Sequence, residues 1–244
     1  MMRRMALLCM LALLAGCTTS DVIEPMGAAS SASISTRVAL AYPRFDDNKP
    51  HEWQAKKPTH YAVHGTDVSK YQRSIDWHTA KRSGISFAFV KATEGGDRVD
   101  DYFDEHWSST RAAGVPREKG SLPPILDMEW NPDSPTCKLR PPAATVRSEM
   151  KTFLEIVERH YGKKPIIYTS IDFFDDNALS TFRGYPYWLR SVAGHPTEKY
   201  GEHPFTFWQY TGTGVVPGIR GNADINVFNG SATAWNKWLR ANTH

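Results

Sequence analysis

The chain has 244 residues, of which 41% are hydrophobic, and it carries a formal net charge of +3 with an isoelectric point near 8.7. This length suits one main domain with a substantial core. The Lys and Arg residues are scattered rather than gathered into one stripe, so the charge pattern argues against a nucleic-acid partner.

The N-terminus has the features of an export signal. Arg3 and Arg4 precede the apolar run MALLCMLALLA, which is too short to span a bilayer but suits a signal peptide. The run ends in Leu-Ala-Gly-Cys17, which resembles a bacterial lipoprotein signal. We therefore expect a signal peptide over 1–16, a lipid anchor on Cys17 and, because Thr18 rather than Asp follows it, a position on the periplasmic side of the outer membrane. The alternative is an ordinary cleaved signal with an incidental cysteine.

The cysteines agree with this interpretation. Cys9 would leave with the signal and Cys17 would be acylated, which leaves Cys137 alone and excludes a disulfide framework. Residues 17–60 are rich in Thr, Ser, Ala, Gly and Pro with little apolar periodicity, which is typical of a solvated tether. The sequence therefore predicts one catalytic domain over 61–244, which we expect to be a monomer.

From Tyr61 onward, short apolar runs alternate with amphipathic stretches, which predicts parallel strands joined by helices. In chain order the predicted elements are strand YAVHGTD, helix IDWHTAKRSG, strand ISFAFVKATEG, helix DDYFDEHWSSTRAAG, strand PPILDMEW, helix TVRSEMKTFLEIVERHYG, strand PIIYTS, a short helix around FFDDNALSTF, strands YPYWLRS and PFTFWQYTG, and a final helix near SATAWNKWLRAN.

Polar and aromatic side chains stand at the end of each predicted strand. In barrels of parallel strands the carboxyl ends and the loops that follow them build the active site, so we expect these side chains to share one pocket. They are Asp67, Lys91, Glu94, Asp127, Glu129, Tyr168, Trp188, Arg190, Gln209 and Tyr210.

The segment LPPILDMEW carries the strongest signal for catalysis. Side chains alternate along a strand, so Asp127 and Glu129 face one side and Met128 faces the other. Burial and mutual repulsion favour protonation of one carboxyl, which would hold Glu129 as an acid while Asp127 stays ionised. Such a pair can protonate a glycosidic oxygen and stabilise an oxocarbenium-like transition state. The motif D-x-E alone is weak evidence, because it is common on solvated edges.

Two further acidic residues and four aromatic residues are candidates. Asp67 in HGTDVSKYQ and Asp224 in GNADINVF fit an acidic groove, but each could equally be a cap or turn residue. Aromatic rings with polar rims can stack on sugars, and their alternative role is core packing, which we expect for at least one of them. The four rings are Trp130, Tyr168, Trp188 and Trp208.

Other chemistries find no support in the sequence. His60 and His64 lie before a strand without an intervening Glu, unlike a zinc-protease helix, and no three metal ligands have a recognisable spacing. G-x-S-x-G and a phosphate-binding glycine loop are also absent. We therefore predict neither a metal nor a cofactor.

Six motifs in order resemble glycoside hydrolase family 25, the lysozyme-type muramidases. They are D-V-S-K-Y-Q followed by I-D-W, then F-A-F-V-K-A-T-E-G, L-P-P-I-L-D-M-E-W, P-I-I-Y-T-S, F-W-Q-Y-T and D-I-N-V-F. The resemblance implies an irregular (β/α) TIM-like barrel that cleaves the β-1,4 bond between N-acetylmuramic acid and N-acetylglucosamine in peptidoglycan. It also implies that Glu129 is the general acid and Asp127 its partner in a substrate-assisted, retaining reaction. Asp67 and Asp224 match two further acidic residues of the groove, and we expect Glu94, which lies in a matching motif, to bind substrate.

The chain departs from the family pattern between the helix ending A-A-G and the strand L-P-P-I-L-D-M-E. Family members place a strand and a helix there, whereas only Val115 to Ser121 are present, and a crossover needs roughly ten to twelve residues. One βα unit of the barrel is therefore predicted to be missing. The remaining strands could close around the gap, or the gene product or sequence record could be damaged.

The leading hypothesis is thus a lipid-anchored muramidase acting on peptidoglycan. Two alternatives stay open at this point. One is an inactive peptidoglycan-binding lipoprotein that lost turnover with the missing unit, and the other is a hydrolase of another N-acetylated glycan such as chitin.

Overall fold

The computed structural model describes residues 41–96, 98–116, 122–132 and 138–242. The predicted signal peptide, the lipidation site Cys17 and Cys137 lie outside these residues, as does the 117–121 part of the segment where a unit is predicted to be missing. Within the described ranges, no helix has the length and apolar character needed to cross a membrane.

One mixed sheet dominates the fold. Its strands lie in the order β3, β2, β10, β9, β8, β7, β6. The short strand β1 pairs with the last two residues of β9, Gly214 and Val215. A separate two-stranded hairpin follows β3. The strands are β1 (Asp46–Asp47), β2 (His64–Val68), β3 (Ile85–Val90), β4 (Thr93–Glu94), β5 (Arg98–Val99), β6 (Ile125–Met128), β7 (Ile166–Thr169), β8 (Tyr187–Arg190), β9 (Phe207–Val215) and β10 (Ala223–Phe228).

Strand direction brings many strand ends to one rim. β2 and β3 are parallel, and so are β6, β7, β8 and β9 in succession. β10 lies between β2 and β9 and is antiparallel to both, which the predicted βαβ rhythm did not include. The amino end of β10 therefore meets the carboxyl ends of β2 and β9 at the same rim.

The sheet curls so that its inner face forms a core of its own. The rings of Phe89 on β3 and Trp188 on β8 lie 4.5 Å apart although three strands, β2, β10 and β9, lie between β3 and β8 in the sheet. The sheet is nevertheless open, because β3 and β6 are its two ends and do not pair with each other among the described residues. The predicted mixed α/β fold is confirmed in the form of a curled half-barrel.

The helices cover the outer face and one end of this sheet. Buried apolar residues of α1 pack on β2 and β3, and those of α3 and α4 pack on β6 to β8. Trp235 and Leu239 of α6 instead enter the inner core beside Phe87 and Phe207. The helices are α1 (Trp77–Arg82), α2 (Phe103–Ala112), α3 (Ala143–Tyr161), α4 (Ile171–Asp176), α5 (Pro196–Lys199) and α6 (Ala232–Asn242).

The segment before Tyr61 is part of the fold. The backbone N–H of Arg44 donates to Ser83 O at 2.7 Å, β1 pairs with β9, and the ring of Trp53 packs edge-on against Trp208 at 4.9 Å. The domain thus begins earlier than the sequence predicted, because a polar stretch with few apolar residues still contributes a strand pairing and one aromatic anchor.

Candidate active site

The inner face of the sheet is divided into an apolar lower layer and a polar rim. The lower layer contains Phe87, Phe89, Ile166, Phe207 and Phe228. Side-chain alternation then places polar residues on the same face at the carboxyl ends of the strands and at the amino end of β10. These rim residues are Asp67, Lys91, Asp127, Glu129, Tyr168, Arg190, Gln209, Asp224 and Asn226.

Asp127 and Glu129 share this face at the end strand β6. Asp127 lies opposite Tyr168 in the β6–β7 register, and Glu129 follows directly after the strand. Both side chains have solvent-accessible surface, yet the protein around them displaces most of the bulk water. This loss of hydration, together with the charge of Glu129, raises the pKa of Asp127 to about 7.

The pKa of Glu129 is also raised. Its main cause is again loss of hydration, which the positive charges of Arg190 and Lys91 oppose and the charge of Asp67 reinforces. A pair of this kind retains a proton near neutral pH, as an acid catalyst requires. Placing that proton on Glu129 and the charge on Asp127 stays a prediction.

Asp67 lies at the centre of a hydrogen-bond network that connects five strands. Its Oδ2 accepts from Gln209 Nε2 at 2.9 Å and from Asn226 Nδ2 at 2.8 Å. The hydroxyl of Tyr168 donates to Gln209 Oε1 at 3.0 Å, and Trp188 Nε1 donates to Asn226 Oδ1 at 2.8 Å. Burial raises the pKa of Asp67, whereas the two amide donors and Arg190 lower it.

Asp224 completes the acidic cluster. It is the Cα partner of Asp67 across β2 and β10. Burial, followed by the charge of Asp67, raises its pKa to about 8. Both aspartates thus lie within strands of the inner face, and the alternative roles as a helix cap or a turn residue do not apply to them.

Glu94 lies beside the cluster in the β4–β5 hairpin. Its carboxylate is 3.5 Å from Lys91 Nζ and 3.8 Å from an Arg98 guanidinium nitrogen. Glu94 contributes to the raised pKa of Asp127, while Lys91 lowers it. A direct contact of Glu94 with substrate stays a prediction.

Two of the aromatic candidates, Tyr168 and Trp188, lie beneath the carboxylates. Tyr168 and Trp188 lie on the inner face with ring centroids 4.3 Å apart, and only 6% and 5% of their surfaces are exposed. Their polar atoms are bound within the Asp67 network. They therefore form the floor beneath the carboxylates, and each could offer a sugar at most a small part of its ring.

Trp208 does not lie in the groove, and it is one of the aromatic residues for which core packing was the expected alternative. Trp208 is fully buried on the opposite face of β9 from Gln209, and its Nε1 donates to Ser191 O at 2.8 Å. It is a core residue, because a ring without exposed surface cannot stack on a sugar. The ring of Trp130 lies against Phe173 at 4.4 Å and is only partly buried, so a contact of Trp130 with substrate stays a prediction.

Sequence reasoning missed Asn226 as a site residue. Gln209 and Arg190 were marked by their positions at strand ends, whereas attention in GNADINVF went to Asp224 alone. The alternation of Asp224, Asn226 and Phe228 in a strand was the available signal, because it places all three on one face.

Among the described residues, no three His, Cys, Asp or Glu side chains form a group that could hold a metal ion.

Comparison with protein families identifies one match. The sequence model of Glycosyl hydrolases family 25 matches residues 66–119 and 114–219. A protein named YegX from Escherichia coli strain K12, itself uncharacterised, is 34% identical over 204 residues, which are 71% of this chain and 72% of YegX. Lysozyme M1 from Streptomyces globisporus is 30% identical over 208 residues, with coverage of 70% and 69%.

Solved structures agree with the sequence comparison. The bacterial lysozyme from Streptomyces coelicolor superposes with a TM-score of 0.64 at 28% identity, covering 73% of this chain and 97% of the lysozyme. A family 25 glycosyl hydrolase from Bacillus anthracis has a TM-score of 0.64 at 27% identity, covering 75% and 95%.

Proposed function

This chain belongs to glycosyl hydrolase family 25, and from that membership and its acidic groove we propose that it is a muramidase that hydrolyses peptidoglycan. The bond cleaved is the β-1,4 linkage between N-acetylmuramic acid and N-acetylglucosamine. The observation that carries the proposal is the convergence of Asp67, Asp127, Glu129 and Asp224 at one rim of the curled sheet, with raised pKa values in all four.

The proposed reaction uses the carboxyl pair of β6. Glu129 donates its proton to the glycosidic oxygen as the bond from that oxygen to the anomeric carbon breaks. The carbonyl oxygen of the sugar's own N-acetyl group attacks the anomeric carbon, and Asp127 stabilises the resulting positive charge. Water then attacks the same carbon as the bond from that carbon to the N-acetyl oxygen breaks, which restores the N-acetyl group. The Glu129 carboxylate takes up a proton from the water, so that the acid is regenerated with retention of configuration.

We further propose that the barrel lacks one βα unit between α2 and β6. Two observations support this. The two matched segments of the family meet at residues 114–119, and β3 and β6 are the unpaired ends of the sheet in the described part of the chain. Pro116 O accepts a hydrogen bond from Ala88 N at 3.1 Å, so the chain begins to run along β3 where the missing strand would lie.

The end position of β6 favours a second candidate function. A catalytic strand supported on one side only has fewer contacts that hold Asp127 and Glu129 in place, and catalysis is sensitive to displacements of about 1 Å. The alternative is therefore a peptidoglycan-binding protein without turnover.

A cooperative thermal transition in near-UV circular dichroism would show that the shortened sheet packs its side chains uniquely.

The cellular location proposed for this muramidase rests on the N-terminal sequence alone. Lipidation at Cys17 would place the enzyme on the periplasmic side of the outer membrane, where peptidoglycan is within reach. Radiolabelled palmitate should be incorporated into the wild-type protein and lost in Cys17→Ser.

The test of function compares three purified full-length proteins in mild detergent on insoluble peptidoglycan. Wild type should release soluble fragments with new reducing ends whose masses correspond to muramic-acid termini, and Glu129→Gln should release none. Glu202→Gln, an exposed Glu outside the groove, is the matched control and should equal wild type. Sedimentation with peptidoglycan without any release by wild type would favour the binding protein, and release from chitin instead would contradict the substrate assignment.

A further inference from the structure

Two buried amides surround Asp67 in a way that the proposed chemistry does not yet use. Resting on the proposed function, we propose that Gln209 and Asn226 are positioning residues that hold the Asp67 carboxylate ionised and in one orientation below the scissile bond. Trp188 in turn fixes the direction of the Asn226 amide, and Tyr168 binds the oxygen of Gln209.

The hydrogen-bond partners determine which way each amide faces. An indole N–H can only donate, so the 2.8 Å contact from Trp188 Nε1 requires the oxygen of Asn226 and leaves its NH2 for Asp67. Tyr168 donates to the oxygen of Gln209, and the NH2 of Gln209 faces Asp67 because an ionised carboxylate can only accept. Both NH2 groups converge on the same oxygen, Oδ2, and an ionised carboxylate accepts from both without loss.

The backbone makes this arrangement rigid. Gln209 and Asn226 are Cα partners on β9 and β10, and Asp67 lies on the next strand, β2. Only 3% of Gln209 and 0% of Asn226 is exposed. A buried network in which every polar atom has a partner resists rearrangement, because moving one amide leaves two groups unpaired.

The charges around Asp67 explain why amides suit this position. The titratable groups that interact with Asp67 are Asp224 on β10, Asp127 on β6, Glu129 directly after β6, Tyr168 on β7 and Arg190 on β8. Burial opposes the ionisation of Asp67. Amides stabilise the anion without cancelling its field, and that field in turn raises the pKa of Glu129 and helps it to keep the proton that it donates.

The first test is the pH dependence of kcat/KM for the full-length protein on soluble peptidoglycan fragments. Gln209→Met and Asn226→Leu keep the side-chain size but remove the donors, so Asp67 should take up a proton at higher pH. The acidic limb should move upward by about one pH unit, the equivalent of a tenfold change in proton affinity. Asn229→Leu is the matched control, because its amide donates to Phe205 O just beyond β10 and away from the groove.

The position of a pH limb does not depend on the fraction of correctly folded protein, so partial misfolding of a variant cannot imitate the shift. A lower rate with unmoved limbs in both variants would overturn the proposal and leave the amides a purely structural role.

The second test is independent of turnover. The ¹³C carboxyl resonance of Asp67, assigned with Asp67→Asn, should titrate at higher pH in Gln209→Met than in wild type. An unchanged midpoint in a variant with a native near-UV spectrum would overturn the proposal. If wild type fails to cleave peptidoglycan while this midpoint still moves, the proposed function fails and the positioning of Asp67 stands.

Discussion

Asp224 lies directly opposite Asp67 as its Cα partner on the adjacent antiparallel strand, and both side chains face the inside of the curled sheet. The antiparallel direction of β10 is what permits this, because an aspartate near the start of β10 then reaches the rim where β2 ends. Two carboxyls on directly opposed positions of neighbouring strands repel each other when both are ionised. The pKa of Asp224 is accordingly raised to about 8 by burial and by the charge of Asp67.

The raised pKa values predict that the free energy of unfolding decreases as pH rises through neutrality. In the folded state the pKa is about 7 for Asp127 and about 8 for Asp224, against roughly 3.9 when unfolded. The folded protein therefore binds more protons than the unfolded chain over this interval, and the free energy of unfolding decreases as pH rises. His64 acts in the opposite direction below about pH 6.5, because burial lowers its pKa to about 4.

The decrease should therefore appear between about pH 6.5 and pH 8, where the carboxyls outweigh His64 and the three other histidines whose pKa is lowered by burial. Thermal melts of the full-length protein should give a lower Tm at pH 8 than at pH 6.5. The Asp224→Asn variant should show a smaller difference, since the amide has no proton to lose. An equal or higher Tm at pH 8 in wild type would contradict the prediction.

Lys91 is predicted to set the acidic limit of activity. Its charge lowers the pKa of both Asp127 and Glu129, so Lys91→Met should raise both. The acidic limb of kcat/KM should then move to higher pH, by about half a unit to one unit for the loss of one nearby charge. The exposed Lys237 on α6 supplies the control, and Lys237→Met should leave the profile in place. A shift to lower pH in Lys91→Met would rule out this role.

Trp208 is predicted to matter for stability and not for substrate binding. It is fully buried against Trp53 and Tyr61, and its indole N–H donates to Ser191 O. Trp208→Ala should lower the free energy of unfolding by about 3–5 kcal/mol through the cavity that it leaves. Trp208→Phe should lose less and keep KM unchanged, as measured by chemical denaturation and by steady-state kinetics. A raised KM at unchanged stability would instead support the sugar-stacking role.

Arg73 is predicted to carry backbone strain. Its φ of +51° with ψ of −149° lies in a region that residues with a Cβ rarely adopt. Arg73→Gly should therefore raise the free energy of unfolding by about 1 kcal/mol, the net of released strain and the larger entropy of glycine in the unfolded chain. Arg73→Ala keeps the Cβ and should bring no gain. Equal stability of the two variants would show that the position is not strained.

The order of elements and the principal carboxyl pair could be predicted from the sequence. Periodicity of apolar residues marks strands and helices because each must bury one face, and alternation alone places Asp127 and Glu129 on the same side of β6. The family resemblance, confirmed by the comparisons, then suggested the chemistry that we propose for this pair.

The partners of those carboxyls could not be predicted in the same way. Periodicity says which residues share a face of one strand but not which strands are neighbours or in which direction they run. The antiparallel insertion of β10 between β2 and β9 decides that Asp224 meets Asp67 and that Asn226 meets Gln209. The aromatic residues show the same limit, since whether Trp208 faces a groove or a core depends on what the segment before Tyr61 covers.

The sequence by itself therefore determined the chemical groups of the site and the local face on which each stands, because these follow from the short repeat of a strand. Only the tertiary structure decided their charges and partners. A pKa depends on how much water the whole fold removes and on charges that lie far away in sequence, and both depend on strand order, curvature and register.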